Sequence, residues 1–485
     1  GGSPADMARS LPATRANTFR LQANKLFEEK KFTESIELYS AAIESDPTNP
    51  HYVCNRAHAH NHLENYGQAL SDADEAIRLN PGYSKAYLRK AKALKGMGRM
   101  KDAVAIYQIL CRSSPHNGAL KLRMEECQKI MRTQAFTSAI GGPEIKLHSP
   151  FDDIEVDVEP DEDYTGPRWD EGEITLEFVE GMVTRFQEDK RLHNKYAYKI
   201  LAANLGQMKA YPNVVPVTVT EGAHVTVCGD THGQFYDLLH IFKVNGPPSP
   251  DNPYIFNGDF VDRGSWSLEV VMTLLAYKAL YPDSVHLTRG NHETMAMNRM
   301  YGFEGEVASK HGRRMYECFC LLFCYLPLAF TINSKVFICH GGLFREDGIT
   351  LADINAVDRV LEPPDQGIVC DILWSDPQDA NGRAASKRGT GCMFGPDVTN
   401  KFLEDNNLTL LVRSHEMKED GYDVQHGGKC ITIFSAPNYC DQMGNLGAYI
   451  RFGADCLPRF FRFSASPHPA VAPMAYAPTG MAGLM

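Results

Sequence analysis

Six short apolar runs in the second half of this chain each end at residues of the kind that bind metal ions. They read HVTVCGDTHG (224–233), YIFNGDFVDRG (254–264), VHLTRGNHE (285–293), KVFICHGG (335–342), LTLLVRSHE (408–416) and CITIFSAPNY (430–439). A short run rich in Val, Ile and Phe that stops at Gly, Asp or His predicts a buried strand, with its polar stop in the loop that follows. Asp230, His232, Asp259, Asn291, His340 and His415 are therefore expected to converge on one rim of a sheet sandwich.

Carboxylates, imidazoles and an amide oxygen suit two adjacent divalent cations of hard to borderline character, and Asp259 can bridge them. No cysteine pairs take part, which argues against structural zinc. A centre of this kind points to hydrolysis of a phosphate ester by a metal-activated hydroxide. A lone Asp-x-His, or one His after a strand, reads more readily as a turn residue or a satisfied histidine. Asp-x-His, Gly-Asp-x-x-Asp-Arg-Gly and Gly-Asn-His-Glu in that order, each after a strand, read as a site.

With Leu-Trp-Ser-Asp-Pro (373–377), Lys-Arg-Gly (387–389) and Ser-Ala-Pro-Asn-Tyr (435–439), residues 170–465 resemble the metal-dependent serine/threonine phosphoprotein phosphatases, within the calcineurin-like phosphoesterases. The resemblance implies an α/β metallophosphoesterase domain, a central β-sandwich flanked by helices. It implies Asp230, His232 and Asp259 around one metal and Asp259, Asn291, His340 and His415 around the other, the metals being manganese, or iron and zinc in the cell. A bridging hydroxide would attack the phosphorus of phosphoserine or phosphothreonine. Arg263 and Arg388 would clamp the phosphate, with Asn291 and Tyr439 also in contact with it. His292 would protonate the leaving alkoxide while Asp262 holds its imidazolium. Outside their motifs the two arginines would read as surface charges and Tyr439 as a packing residue. In Arg-Ser-His-Glu (413–416) relatives vary at the second and fourth positions, and His415 is retained.

The first third of the chain has a different pattern. Pro47, Pro81 and Pro115 stand 34 residues apart. Small or apolar residues recur in step with them: Ala23, Ala57 and Ala91; Phe32, Tyr66 and Met100; Ser35, Ala69 and Ala103; Ala42, Ala76 and Leu110. This is the tetratricopeptide period. Each repeat predicts two antiparallel helices packed through small residues, with the proline ending the second. Three repeats over 16–117 and a capping helix over 119–140 make an all-α array spanning 16–140.

Charge suggests what such an array would bind. Residues 1–140 hold 20 Lys and Arg against 14 Asp and Glu, a balance of +6, whereas the whole chain stands at −11, leaving −17 for the rest. A basic groove favours an acidic peptide. Arg20 with Asn24, and Lys85 with Arg89, stand at i and i+4, so each pair shares a helix face. Together with Asn55 they resemble the clamp by which chaperone-binding tetratricopeptide domains hold the acidic C-terminus of the ninety- or seventy-kilodalton heat-shock chaperones. His62 stands where relatives carry an arginine, which predicts weaker or pH-sensitive binding. The plainer alternative is that these basic residues serve solubility.

A repeat array ahead of this catalytic domain resembles a branch of the family that is autoinhibited. There the repeats cover the catalytic mouth until a chaperone peptide or a fatty acid releases them. Glu64 lies in a turn where glycine is usual, and its carboxylate is expected to occupy the phosphate position near Arg263 and Tyr439; the alternative is a solvated turn residue.

DDIEVDVEPDED (152–163) holds eight acids in twelve residues and reads as part of an acidic linker over 141–168. The catalytic domain is placed at 169–465, followed by a Pro- and Ala-rich regulatory tail, 466–485, that either packs or is disordered. A chain of 485 residues with 43% hydrophobic content has ample core for two domains. Its 13 cysteines are odd in number and scattered, as in a reducing compartment. Cys318, Cys320 and Cys324 read as small buried hydrophobes rather than a metal knot. The apolar stretch 318–330 is too short to cross a membrane and contains Pro327, and no secretory leader stands at the start. A monomer in the cytoplasm, with nuclear access, is expected. No basic, aromatic-rich strip suggests nucleic acid, which argues against a nuclease or phosphodiesterase. A chaperone-docking adaptor with an inactive phosphatase domain is the alternative, but such a copy would be expected to have lost a ligand or the His292 and Asp262 pair, and none is missing.

Overall fold

The 34-residue period folds as a series of helix pairs. The computed structural model describes residues 4–139, 160 and 164–477, divided between a first unit over 4–139 with 386–389 and a second over 160, 164–385 and 390–477. The acidic run 152–163, apart from Pro160, and residues 478–485 of the tail lie outside the described residues.

Over 4–139 the first unit is helical: α1 (Pro4–Glu28), α2 (Phe32–Ser45), α3 (Pro50–His62), α4 (Tyr66–Leu79), α5 (Ser84–Gly96), α6 (Met100–Ser113) and α7 (Gly118–Ala139). The predicted columns are its core. Ala23, Ala57, Ala91, Ser35, Ala69, Ala103, Ala42 and Ala76 have no exposed surface, which lets neighbouring backbones approach closely. Each second helix closes the same way: Asp46, Asn80 and Ser114 donate to Ala42, Ala76 and Leu110 at 3.0 Å, and the proline that follows has no N–H with which to continue. Within each repeat the turn passes through one left-handed residue, Lys30 (φ +63°), Glu64 (φ +60°) or Gly98 (φ +73°). The next residue reaches back five positions, from Lys31 to Leu26, Asn65 to His60 and Arg99 to Leu94, all at 2.9 Å. These are Schellman closures.

The second unit is an α/β sandwich. Its strands are β1 (Val214–Val217), β2 (His224–Cys228), β3 (Tyr254–Phe256), β4 (Val285–Leu287), β5 (Ala329–Ile332), β6 (Val336–Cys339), β7 (Asp376–Pro377), β8 (Arg383–Ala385), β9 (Cys392–Phe394), β10 (Leu410–Arg413), β11 (Tyr422–Gln425), β12 (Cys430–Ile433), β13 (Gly447–Gly453) and β14 (Pro458–Phe463). One sheet runs β1-β5-β6-β10-β12-β11, the second β14-β13-β2-β3-β4, and a small third β7-β9-β8. All six apolar runs of the sequence contain strands: β2, β3 and β4 are mutually parallel in one sheet, and β6, β10 and β12 in the other.

Alternation along these strands sorts side chains between two cores. Val225, Val227, Ile255, Val336, Ile338, Leu410, Val412, Ile431 and Ile433 meet between the sheets. Phe337, Cys339, Leu411 and Cys430 face the opposite way, into a core shared with the helices at 351–356, 368–374 and 396–405. Cys228, Tyr254 and Phe256 face a core shared with the helices at 176–187, 194–208, 267–280 and 313–325. Cys318 and Cys320 are buried there as small apolar groups, Cys324 is buried beside Arg289, and all 13 cysteines are free thiols. A bridge between Asp230 and Phe434 joins the two sheets at the carboxyl ends of their parallel strands. After β14 the chain continues as a strap along this unit through Ala477. Among the described residues no helix is long and apolar enough to cross a membrane.

Candidate active site

The loops after β2, β3, β4, β6 and β10 bring the predicted ligands together. Asp230, His232, Asp259, Asn291, His340 and His415 are all nearly or wholly buried. Asp259 Oδ2 lies at the centre, 3.6 Å from His232 Nε2 and 3.3 Å from His340 Nε2. His232 Nε2 is also 3.6 Å from Asp230 Oδ2, and His340 Nε2 is 3.3 Å from His415 Nδ1. One carboxylate thus stands between two groups of candidate donors.

Four of the candidate ligands are aimed by a second bond. His232 Nδ1 lies 3.1 Å from the Val261 carbonyl and His340 Nδ1 lies 2.8 Å from that of Asn257, so each ring donates there and turns an unprotonated Nε2 to the centre. Asp230 Oδ1 accepts from the His415 N–H (3.1 Å) and Asp259 Oδ1 from the His292 N–H (2.9 Å), which leaves each Oδ2 for the centre. Glycine lets the loops after β3 and β4 touch: a Cβ on Gly258 would stand 2.7 Å from Gly290 Cα, and one on Gly290 would meet Asp259 Oδ1.

The donor set itself tests whether cations fit. With Nδ1 donating to Asn257, His340 Nε2 is an acceptor, and it faces the acceptor Asn291 Oδ1 at 2.9 Å. Two lone pairs so placed repel unless a cation lies among them. Burial drives His232 and His340 below their ordinary range, so both are neutral ligands. Burial, with the Asp259 carboxylate close by, pushes Asp230 up to about 7, a cost that divalent cations would reverse. The six residues fit two divalent ions.

Beside the centre, His292 Nδ1 lies 2.8 Å from Asp262 Oδ2, and a ring nitrogen of His292 is within 4.8 Å of the His232 and Asp259 ligand atoms. Asp262 also accepts from Asn298 Nδ2 (3.1 Å) and the Phe303 N–H (3.0 Å), and burial still pushes it up to about 7. Arg263 is 3% exposed and its guanidinium lies 3.6 Å from the Tyr301 ring centroid. The Tyr439 ring is 5.1 Å from that of His232. Five of these residues are left-handed: His232 (φ +41°), Asp259 (+52°), Asp262 (+71°), Arg263 (+72°) and His415 (+70°).

A family model for calcineurin-like phosphoesterases matches residues 223–419, and one for the PPP5 TPR repeat region matches 124–216. The chain is 50% identical over 467 residues to human serine/threonine-protein phosphatase 5, covering 96% of this chain and 93% of that protein. It belongs to the serine/threonine-protein phosphatase 5 family. The Arabidopsis thaliana member is 46% identical over 522 residues, covering 96% of this chain and 97% of the other. A solved structure of a Saccharomyces cerevisiae phosphatase with similarity to human PP5 is 41% identical, with a TM-score of 0.61, and covers 62% of this chain and 100% of that one.

This phosphatase 5 family member holds its centre with residues that the sequence reading passed over. Glu293 accepts from the backbone N–H groups of Asp259 (2.8 Å), Phe260 (2.9 Å) and Gly290 (2.9 Å), tying the loops after β3 and β4 together. Its place inside Gly-Asn-His-Glu was the available signal. Asn298 bonds both Asp262 and the His292 carbonyl (2.6 Å), and no motif marks it. Arg413 has no exposed surface and braces the His415 loop through Asp376 (2.8 Å), Glu416 (3.0 Å) and the Gly341 carbonyl (2.5 Å). Arg388 lies on the turn between β8 and β9, where its N–H donates to Ser386 Oγ at 3.1 Å.

In the repeat unit the predicted clamp residues fall on α1, α3 and α5. Asn24 Oδ1 accepts from Asn55 Nδ2 (3.3 Å) and the Tyr39 hydroxyl (2.7 Å), and Arg20 is held by Asn17 (2.8 Å) one turn earlier. Lys85 is exposed, whereas burial lowers the pKa of Arg89. His62 stacks on Phe32 at 4.8 Å and stands 3.2 Å from His58. Burial holds it near 3, so it is neutral at physiological pH, which favours the weaker of the two expected kinds of binding over the pH-sensitive one. Glu64 takes the left-handed position shared by Lys30 and Gly98, so its conformation belongs to the repeat.

Proposed function

We propose that the chain hydrolyses phosphoserine and phosphothreonine esters in proteins at this centre. The observation that carries the reading is the Asp259 carboxylate at the middle of six buried donors, with the His292 and Asp262 pair beside it. Two divalent cations there would supply Lewis-acid charge for the phosphoryl oxygens and a water acidic enough to ionise near neutral pH. Manganese, or iron and zinc, suits these N and O donors. Arg263 and Arg388 hold the phosphoryl oxygens, with Asn291 and Tyr439 in contact with the same group. His292 gives its proton to the departing serine or threonine oxygen, while Asp262 and Asn298 keep the ring in orientation.

The repeat unit lowers this activity in the resting chain, and Glu64 competes for the phosphate position. An acidic chaperone C-terminus taken by Arg20, Asn24, Asn55, Lys85 and Arg89, or a fatty acid, relieves the inhibition. The basic balance of the repeats supports the peptide. Phosphate release from a phosphoserine peptide with manganese, comparing the intact chain with one beginning at Trp169, tests both parts. A low intact rate that rises on truncation is expected. Equal rates would remove the autoinhibition, and inactivity of both with metal bound would leave the adaptor reading. Cleavage of a nucleotide diester in preference to the peptide would count against the substrate class.

A further inference from the structure

The segment after β14 is stitched to the catalytic unit at two places, and each includes a bond to a loop that carries a proposed phosphate-site residue. At the first, the Ser466 N–H donates to Asp237 Oδ1 (2.7 Å), and His468 Nε2 lies 2.9 Å from Asp441 Oδ1, which ends the turn Tyr439–Asp441. At the second, the Met474 N–H donates to the Arg263 carbonyl (2.7 Å). Ser265 Oγ there donates to the Ala472 carbonyl (2.8 Å) and accepts from the Ala475 N–H (3.2 Å). Between the stitches the His468 ring packs against Trp266 at 5.2 Å, and Met474 is 2% exposed.

Both loops need outside support. Arg263 is left-handed at φ +72°, and so are Cys440 (+57°) and Asp441 (+58°) beside Tyr439. Residues in such conformations persist only where surrounding bonds over-determine them. The Arg263 N–H is taken by the Tyr301 carbonyl (3.2 Å), and the strap satisfies its own carbonyl. One short segment thus ties the Arg263 loop to the Tyr439 turn.

We propose that residues 466–475 position the phosphate site, fixing the Arg263 and Tyr439 loops at the spacing a phosphoryl group requires, with Ser265 and His468 as positioning residues. The proposal rests on the assignment of Arg263 and Tyr439 to phosphate made above. A clamp displaced by about an ångström forfeits much of its effect on the bound group. A strap that only covers apolar surface would lower stability and leave phosphate affinity alone.

The test compares the full chain with chains ending at Ala477 and at Ala465, and with Ser265→Ala and His468→Ala in the full chain. The readouts are Ki for inorganic phosphate, KM and kcat on a phosphoserine peptide, bound metal and unfolding temperature. Ending at Ala477 should leave Ki as in the full chain. Ending at Ala465 should raise Ki and KM together by about tenfold, with bound metal unchanged. Ser265→Ala should raise both by about threefold in the full chain and add nothing once the strap is gone, because the two changes break the same link. A lower unfolding temperature with unchanged Ki, in either the truncation or Ser265→Ala, would overturn the proposal. So would a higher rate at unchanged Ki, which would make the strap a brake. Arg263→Ala separates the two readings: if it leaves Ki unchanged, the phosphate assignment fails and the strap's role with it. If it raises Ki while Ser265→Ala does not, the strap alone is refuted.

Discussion

Left-handed residues other than glycine occur in both units, for opposite reasons. In the repeats, Lys30 and Glu64 stand where Gly98 stands in the third, and a bond reaching back five residues sets the conformation whatever the side chain is. In the catalytic unit, His232, Asp259, Asp262, Arg263 and His415 are the candidate site residues, and distant groups hold the backbones of four of them: Asp259 for His232, Glu293 for Asp259, Tyr301 for Arg263 and Asp230 for His415. Each such residue costs roughly 1–3 kcal/mol. Strain marks a functional residue where long-range bonds enforce it, and marks only a turn where local closure does.

The largest effect that could break this contrast is at His292. His292→Asn should lower kcat on a phosphoserine peptide by roughly 10²–10⁴-fold with metal retained, and by less on p-nitrophenyl phosphate, whose leaving group needs no proton. Metal lost together with activity would instead make His292 a ligand. Glu293→Gln comes next: weaker acceptance from three backbone amides should reduce metal affinity by roughly 10–100-fold, measured by titration of the metal-free chain, while α3 to α6 keep their amide protection.

Acid should separate the units further. Burial holds His58 near 2, His60 near 4 and His62 near 3, well below their value in an unfolded chain. Protons then bind the unfolded state preferentially below about pH 6.5, so the stability these residues confer is complete above that pH and is lost progressively as pH falls through 4 toward 2. Asp230 and Asp262 are shifted up to about 7, so in the metal-free chain their contribution is present in acid and lost as pH rises through 7. Hydrogen exchange between pH 5 and 7 in chelator should show α3 and α4 gaining protection with rising pH while the amides at 230–232 and 259–262 lose it. Parallel changes would dissolve the contrast.

The smallest effect is at the repeat turn. Glu64→Gly should stabilise the first unit by up to about 1 kcal/mol in thermal unfolding, since glycine is at ease in that conformation. Destabilisation would show that the Glu64 side chain holds the turn, as the site side chains do in the catalytic unit.

Much of the candidate site was legible from residues because its candidate ligands follow strands. An apolar run burying both faces of a parallel strand ends where the sheet ends, so Asp230, Asp259, Asn291, His340 and His415 could be placed on one rim from local pattern. The repeats were legible because their contacts recur at a fixed period. Asn298, Arg413 and the Ser265 stitch were not, because nothing near them in the chain signals a partner that lies far away in sequence. Of the two outcomes expected of His62, weaker or pH-sensitive binding, local sequence could not choose, because the choice depends on its packing against Phe32 and His58.

The sequence by itself determined the two fold classes and the period of the repeats, and it singled out the candidate metal-binding residues, since each depends on periodicity or on residue chemistry read over a few positions. Only the tertiary structure decided which oxygen of each carboxylate faces the centre and which nitrogen each imidazole offers. It alone showed the C-terminal segment tying two catalytic loops together. Those outcomes depend on hydrogen bonds between residues tens to hundreds of positions apart, such as His415 to Asp230 and Ser466 to Asp237, and no local pattern encodes a bond whose other end is set by how sheets pack.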